Sequence, residues 1–380
     1  MDSGNAVNRP GELRESLARL PSVQERKPAA QCVVRRNRAT SSRAFSWIQA
    51  IFDTVKRALS RPAGTEKLHG VHLREMFFQT FRRRTPEEVE DYLIVGTART
   101  TPPLAEVPPG FPKPWLFARV LLFFGLIYLG FTLGYLKYRN DALMPGLILM
   151  GTFAAPLTTL TLFFELNFPR NVSVYRLAIL LSVGGLVSLL LSLVGYDIRG
   201  LDRLSPCSAG IIEELAKLSA LILIVQGQRY PFILNGMLFG AAVGAGFGAF
   251  ESAGMALRVL AQNGASSMLT NIAMRGMLAP LMHVAWTAMA GAALWRAKKG
   301  SAVTLATLVE PRFCKVLLLV ILLHALWNLP CPEPPFHLRE LVLGGSAWLV
   351  IGQFARQGLT QVREQQRLLR SLRAMPEARL

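Results

Sequence analysis

The chain has 380 residues, 51% of them apolar and only 17% charged, and its formal charge is +18, from 42 Lys and Arg against 24 Asp and Glu. Those figures exclude disordered, fibrous and disulfide-rich classes. Basic residues crowd into the first 114 positions and the last 25 while long apolar runs fill the middle, so the expected fold is an all-α polytopic membrane protein rather than a pair of soluble domains.

Residues 1–114 read as a basic cytoplasmic region. Residues 1–40 are polar and Arg-rich, lack the apolar segment of a signal peptide, and are expected to be disordered. Over 44–59, Ala44, Ile48, Ile51, Phe52, Val55 and Leu59 recur at helical spacing beside Arg43, Lys56, Arg57 and Arg61. That pattern predicts an amphipathic helix, suited either to the inner leaflet or to packing on a soluble subdomain. Residues 69–96 are expected to be helical. Within them Thr85-Pro86-Glu87-Glu88 reads as a helix start, with Thr85 as cap and Glu88 closing a capping box, and the helix should stop near Gly96. Residues 101–114 form a Pro-rich linker.

Residues 115–355 form the predicted membrane domain. A span needs about 20 mostly apolar residues, and eight segments come close: 116–136, 143–164, 177–194, 207–225, 232–257, 276–295, 313–329 and 341–354, the last being short. Lys and Arg counts in the short loops are nearly balanced; the N-terminal region and the tail over 356–380 tip them, placing both termini in the cytoplasm of an inner-membrane protein. The positive charge then reflects topology and attraction to anionic membrane lipid, with no nucleic-acid partner. Of the four cysteines, none lies in a CxxC pair; Cys207 and Cys331 fall at outer helix ends, where a disulfide is open.

Ionisable groups inside a span are costly and by default point to function. The fourth span carries Glu213, Glu214 and Lys217, the fifth Phe247 and Glu251, the sixth His283, and the seventh His324 and Asn328. Counting along each helix from its outer end places Glu213, Glu251, His283 and His324 roughly 7–11 Å below that end, a common level that predicts a water-filled chamber. Gly236, Gly240, Gly244 and Gly248 form a ridge for close helix packing, and Glu251 shares its face. Glu214 points about 100° away from Glu213, so the two acids should have different duties. Taken singly, each feature has a bland reading: Glu213 with Lys217 as a neutralised ion pair, each histidine as an interhelical hydrogen bond, Phe247 as packing. Three acids and two histidines at one depth favour a site.

No Gly-x-Ser-x-Gly elbow or His-Glu-x-x-His motif is present. Glutamates with histidines suit water activation: a carboxylate takes a proton from water while imidazole or amide donors steady the developing oxyanion. Glu213-Glu214-x-x-Lys217, Phe247-x-x-x-Glu251, His283 and His324-x-x-x-Asn328, together covering about residues 205–330, resemble the motif set of the PrsW family of intramembrane proteases, within a wider group that includes CAAX prenyl endopeptidases and bacteriocin-processing enzymes. The segment from His69 to Trp115 also looks like the leader of some members. The resemblance implies an intramembrane endopeptidase cutting single-pass membrane proteins such as anti-sigma factors. It makes Glu213 the residue that activates water, His283 and His324 the groups that hold the water or oxyanion, Asn328 a further donor, and Glu214 and Lys217 orienting groups. Asn328 stands where a carboxylate is expected, and Thr287 follows His283 by four.

Metal dependence stays open at this level. Glu251, His283 and His324 could make a two-His, one-carboxylate zinc site; a metal-free glutamate mechanism uses the same atoms and is preferred, because no helix supplies paired i, i+4 histidines. A proton-coupled transporter would also place acids and histidines in the membrane, although no paired repeat is evident. A catalytically silent scaffold is the third reading, disfavoured by the intact Glu/His set.

Overall fold

The computed structural model describes residues 79–107, 112–198, 207–225, 229–330 and 337–373. The expectations for 1–40 and 44–59, much of that for 69–96, and the pairing of Cys207 with Cys331 fall wholly or partly outside them. Among the described residues there is no β-strand.

Helix α1, Pro86–Leu93, starts where its sequence says it should: Thr85 Oγ1 accepts from the Glu88 N–H at 3.2 Å and Glu88 Oε2 accepts from the Thr85 N–H at 3.3 Å. Within the stretch expected to be helical over 69–96, residues 79–81 and α1 are helical and 82–85 between them are not; residues 69–78 lie outside the described residues. Beyond α1 the chain turns at Gly96 with φ 85°, where a Cβ would run into the backbone of Val172. Only glycine meets both demands.

Helices α2 (Leu116–Tyr138) and α3 (Met144–Leu166) form a hairpin. Glu165, at the end of α3, accepts from the N–H groups of Trp115, Leu116 and Phe117 at 2.7, 2.8 and 2.9 Å and from the Tyr92 hydroxyl at 3.1 Å. One carboxylate therefore satisfies the orphan donors that open α2 and ties α1 to the hairpin. Burial, reinforced by the Glu165 charge, raises the Tyr92 hydroxyl above its ordinary pKa. Helix α4 spans Val174–Tyr196, with one wide turn at Leu180–Gly184, and α5 spans Cys207–Ile224. Helix α6, Ile233–Leu278, breaks its helical geometry at Gly264 (φ 79°, ψ 176°). A 3₁₀ turn at Ala279–Leu281 then leads into α7, His283–Lys298. Helices α8 (Pro311–Trp327) and α9 (Leu338–Arg373) complete the set.

Four helical stretches among the described residues are long and apolar enough to cross a membrane: Leu116–Tyr138, Asp141–Leu166, Val174–Tyr196 and Ile233–Lys298. The last is 66 residues long and contains two of the eight expected segments. Helix α5 has 18 residues but carries Glu213, Glu214 and Lys217, and α8 has only 17.

The α6–α7 pair is the core, with α3, α4, α5, α8 and α9 packed around it and α2 on the outside against α3. The glycine ridge makes this possible. A Cβ at Gly240 would overlap the Thr287 carbonyl oxygen, one at Gly244 the His283 carbonyl oxygen, and one at Gly248 would lie 3.2 Å from His283 Cδ2. Across the seam, a Cβ at Gly291 would overlap the Gly236 carbonyl oxygen. Gly240→Ala is therefore expected to force the helices apart and destabilise the fold by about 1–3 kcal/mol, read as a lower unfolding midpoint in detergent; an unchanged midpoint would contradict the seam.

Helix α9 differs from the expected arrangement of a short last span followed by a separate tail from 356. It is one 36-residue helix with no break at that boundary. Its far end holds the Pro-rich segment: Gln366 Nε2 donates to the Leu104 and Val107 carbonyls at 2.8 and 3.0 Å. The described part of that segment is thus docked, with a 3₁₀ turn at Leu104–Glu106 and a buried Val107.

Candidate active site

Five polar side chains from α5, α7 and α8 meet in the interior, all at most 8% exposed: Glu213, Glu214, Lys217, His283 and His324. Lys217 is the hub. Its Nζ lies 2.7 Å from Glu214 Oε1, 3.5 Å from Glu213 Oε2 and 2.8 Å from His283 Nδ1, and it sits 4.0 Å above the Phe247 ring. The two acids share Lys217 and His324 but meet different nitrogens of the imidazole. Glu214 Oε1 is 2.8 Å from His324 Nδ1, whereas Glu213 Oε2 faces the other ring nitrogen, Nε2, at 3.7 Å. Glu213 Oε1 accepts from the Tyr196 hydroxyl at 2.8 Å.

His283 is fixed from both sides. A lysine ammonium can only donate, so Nδ1 accepts from Lys217 and Nε2 carries the proton toward Glu251 Oε2 at 3.0 Å. The same Glu251 oxygen is 2.6 Å from an Arg275 nitrogen, and Arg275 Nε donates to Ser252 Oγ at 2.8 Å. His283 is also the first residue of α7, just after a break at Met282 (φ −106°, ψ −130°). The expected unbroken span over 276–295 is therefore interrupted at the site. Pro280 supplies the reason: it cannot donate to a helical ladder and its ring collides with the preceding turn.

The rings are stacked. His324 lies nearly parallel to Trp286 at 4.6 Å and 26°, and His283 stands edge-on to His324 at 5.1 Å and 73°. Phe247 contacts His283 at 5.1 Å, so its place is packing beneath both the cation and the imidazole. Asn328 ends α8, its backbone N–H donating to the His324 carbonyl at 3.1 Å. Its carboxamide makes no hydrogen bond to Glu213 or His324 among the described residues. Among the described residues five buried polar atoms lack hydrogen-bond partners, and three of them belong to Glu214 (Oε2), Trp286 (Nε1) and Thr287 (Oγ1); the others are Asn271 Oδ1 and Glu340 Oε2.

Among the described residues, Glu213, His283 and His324 each offer one donor atom within 4.8 Å of the others. This set differs from the one expected from sequence, Glu251 with the two histidines. Arg275 engages Glu251 from the far half of α6, and Glu251 contacts His283 rather than sharing a centre with His324. The donor types fit a catalytic zinc site. Each imidazole also carries a carboxylate on one nitrogen, Glu214 on His324 and Glu251 on His283, as ligand histidines usually do. The Lys217 ammonium is the group an ion would displace.

Tyr196, Arg275 and Trp286 are the site residues that sequence reasoning does not single out. Tyr196 and Arg275 sit at helix ends, where they read as interface and topology residues, and Trp286 reads as core.

Residues 172–351 match the PrsW family intramembrane metalloprotease family. No curated protein and no solved structure matches the chain. The matched range runs from just before α4 into α9 and contains every polar residue of the buried cluster, together with helices long enough to cross a bilayer; over residues 172–351 this membrane protein thus matches the model of the PrsW family of intramembrane proteases.

Proposed function

We propose that the chain is an endopeptidase of the inner membrane, with both termini cytoplasmic, that hydrolyses a peptide bond in a membrane-embedded or juxtamembrane segment of a single-pass protein. An anti-sigma-like regulator is the substrate class that the family resemblance favours. The observation that carries the reading is the pairing of Glu213 Oε2 with His324 Nε2 across 3.7 Å. That gap is too long for a direct hydrogen bond and lets both atoms bond the same water.

In this reading Glu213 takes a proton from the water as its oxygen adds to the scissile carbonyl carbon. His324 gives its Nδ1–H to Glu214, so its Nε2 accepts the water's other O–H and orients the water against Glu213. Glu213 passes the proton to the departing amide nitrogen, the C–N bond breaks, and a carboxyl and an amine remain. Tyr196 orients Glu213 through its other oxygen. Glu214 fixes the His324 ring from Nδ1, and Lys217 balances both acids while its contact with His283 holds the α5–α7 interface.

The same contacts support a metal-free catalytic type. Lys217 already supplies positive charge to Glu213, Glu214 and His283, so the residues suit a metal-free carboxylate mechanism. The second reading rests on the donor set of Glu213, His283 and His324: these would hold a zinc ion, which when bound acts as a Lewis acid and lowers the pKa of water. Activity of the purified protein is expected to survive exhaustive chelation; stoichiometric zinc whose removal abolishes cleavage would overturn the metal-free reading.

Reconstitution with a panel of single-pass peptides tests the function. Cleavage in the outer part of the bilayer is expected, given the level of the four site residues below the outer helix ends. A cut deep on the cytoplasmic side would break that geometry, and proton flux without hydrolysis would replace the peptidase with a carrier.

A further inference from the structure

We propose that the Trp286 indole N–H is a further catalytic donor, reserved for the scissile carbonyl oxygen of the substrate. This rests on the peptidase reading above. Trp286 is 0% exposed, yet its Nε1 has no hydrogen-bond partner. Two other indoles in this fold do find acceptors: the N–H groups of Trp295 and Trp348 donate to the carbonyls of Tyr230 at 2.8 Å and Pro280 at 2.9 Å. A buried donor left without an acceptor is destabilising, and such groups are rare in folded proteins unless a ligand completes them.

The position of the ring says which ligand. Trp286 stacks on His324 at 4.6 Å, meets the edge of His283 at 5.2 Å and packs against Trp327 at 5.5 Å. Among the described residues it is the one side chain in ring contact with both site histidines, and the indole is held firmly by those contacts. The other donors around Glu213 are engaged already: Tyr196 on Glu213, Lys217 on three neighbours, and one nitrogen of each histidine on a carboxylate. An indole N–H is donor-only and neutral, so it stabilises negative charge growing on an oxygen without exchanging a proton. The oxygen that gains charge when water adds to a peptide carbonyl is such an acceptor. Preorganised donors that strengthen as charge develops raise turnover rather than substrate affinity.

The test compares wild type, Trp286→Phe and Glu213→Gln in liposomes with one cleavable single-pass peptide. Because the N–H bonds nothing in the resting protein, Trp286→Phe should keep KM while kcat falls about 100-fold, a loss well beyond what the modest drop in unfolding midpoint from a smaller buried ring accounts for. A phosphonamidate analogue of the same peptide should bind Trp286→Phe more weakly by a similar factor, with binding of an uncleavable amide peptide unchanged. A kcat within twofold of wild type, or a loss that tracks a fall in the unfolding midpoint, would overturn the proposal. Should Trp286→Phe fail to fold, benzothienylalanine incorporated at position 286 keeps the ring shape without the N–H, and the same outcomes apply. If wild type cleaves and Glu213→Gln does not, normal activity in Trp286→Phe defeats only the indole donor; if wild type does not cleave, the peptidase reading falls and the donor falls with it.

Discussion

Glu213→Gln is expected to lower the rate of peptide cleavage by roughly 10³-fold, within the range that general-base catalysis contributes, while the protein remains folded. The amide keeps an oxygen able to accept from Tyr196, so the side chain stays where the carboxylate was. It loses the lone pair basicity needed to take a proton from water. The buried cation does not become unpaired, because Lys217 is still 2.7 Å from Glu214. Stability and turnover should therefore separate: the unfolding midpoint stays close to wild type while kcat collapses. Equal cleavage by Glu213→Gln and wild type would remove Glu213 from the chemistry.

Lys217→Met should do the opposite first, by damaging the fold. Methionine fills similar volume but leaves Glu213 and Glu214, at 8% and 1% exposure, facing each other with no cation between them. Removing one partner from a buried ionic cluster costs about 3–5 kcal/mol, and the His283 Nδ1 acceptor loses its donor as well. The measurement is the unfolding midpoint in detergent, together with the double variant Lys217→Met, Glu214→Gln. Removing the second charge should recover a large part of the stability without restoring cleavage, since the His324 ring then lacks its carboxylate. A single variant as stable as wild type would show that Lys217 does not neutralise the acids.

Much of the site was legible because a few residue types are so costly in lipid. Glu213, His283 and His324 stand out as charges and imidazoles within apolar runs, and counting down each helix brought them to one level without coordinates. The Gly236–Gly248 ridge and the Thr85 cap were legible for a similar reason: each follows from one spacing and one physical need. What stayed hidden was whatever depends on direction rather than position. Tyr196 reads as an interfacial aromatic until its hydroxyl is seen on Glu213, and Arg275 as a loop charge until it reaches Glu251 across 24 residues. Glu251 shows the consequence of that blindness: its place in the metal set followed from depth alone, and the arginine reassigns it. The helix break before His283 was announced by Pro280, but the surrounding apolar run masked it. The number of spans was harder, because polar site residues make α5 look less like a membrane helix in proportion to how much chemistry it carries.

The α6–α7 seam has a mechanical consequence. Main chain lies against main chain at Gly236, Gly240, Gly244 and Gly291, with no side-chain layer to flex or repack. Glu251 and His283 ride on that inflexible joint, so their separation is set before any polypeptide arrives. Glu213 and His324 are set against one another in the same way, because α5 and α8 also meet at main chain: a Cβ at Gly210 would lie 2.7 Å from the Ile321 carbonyl oxygen.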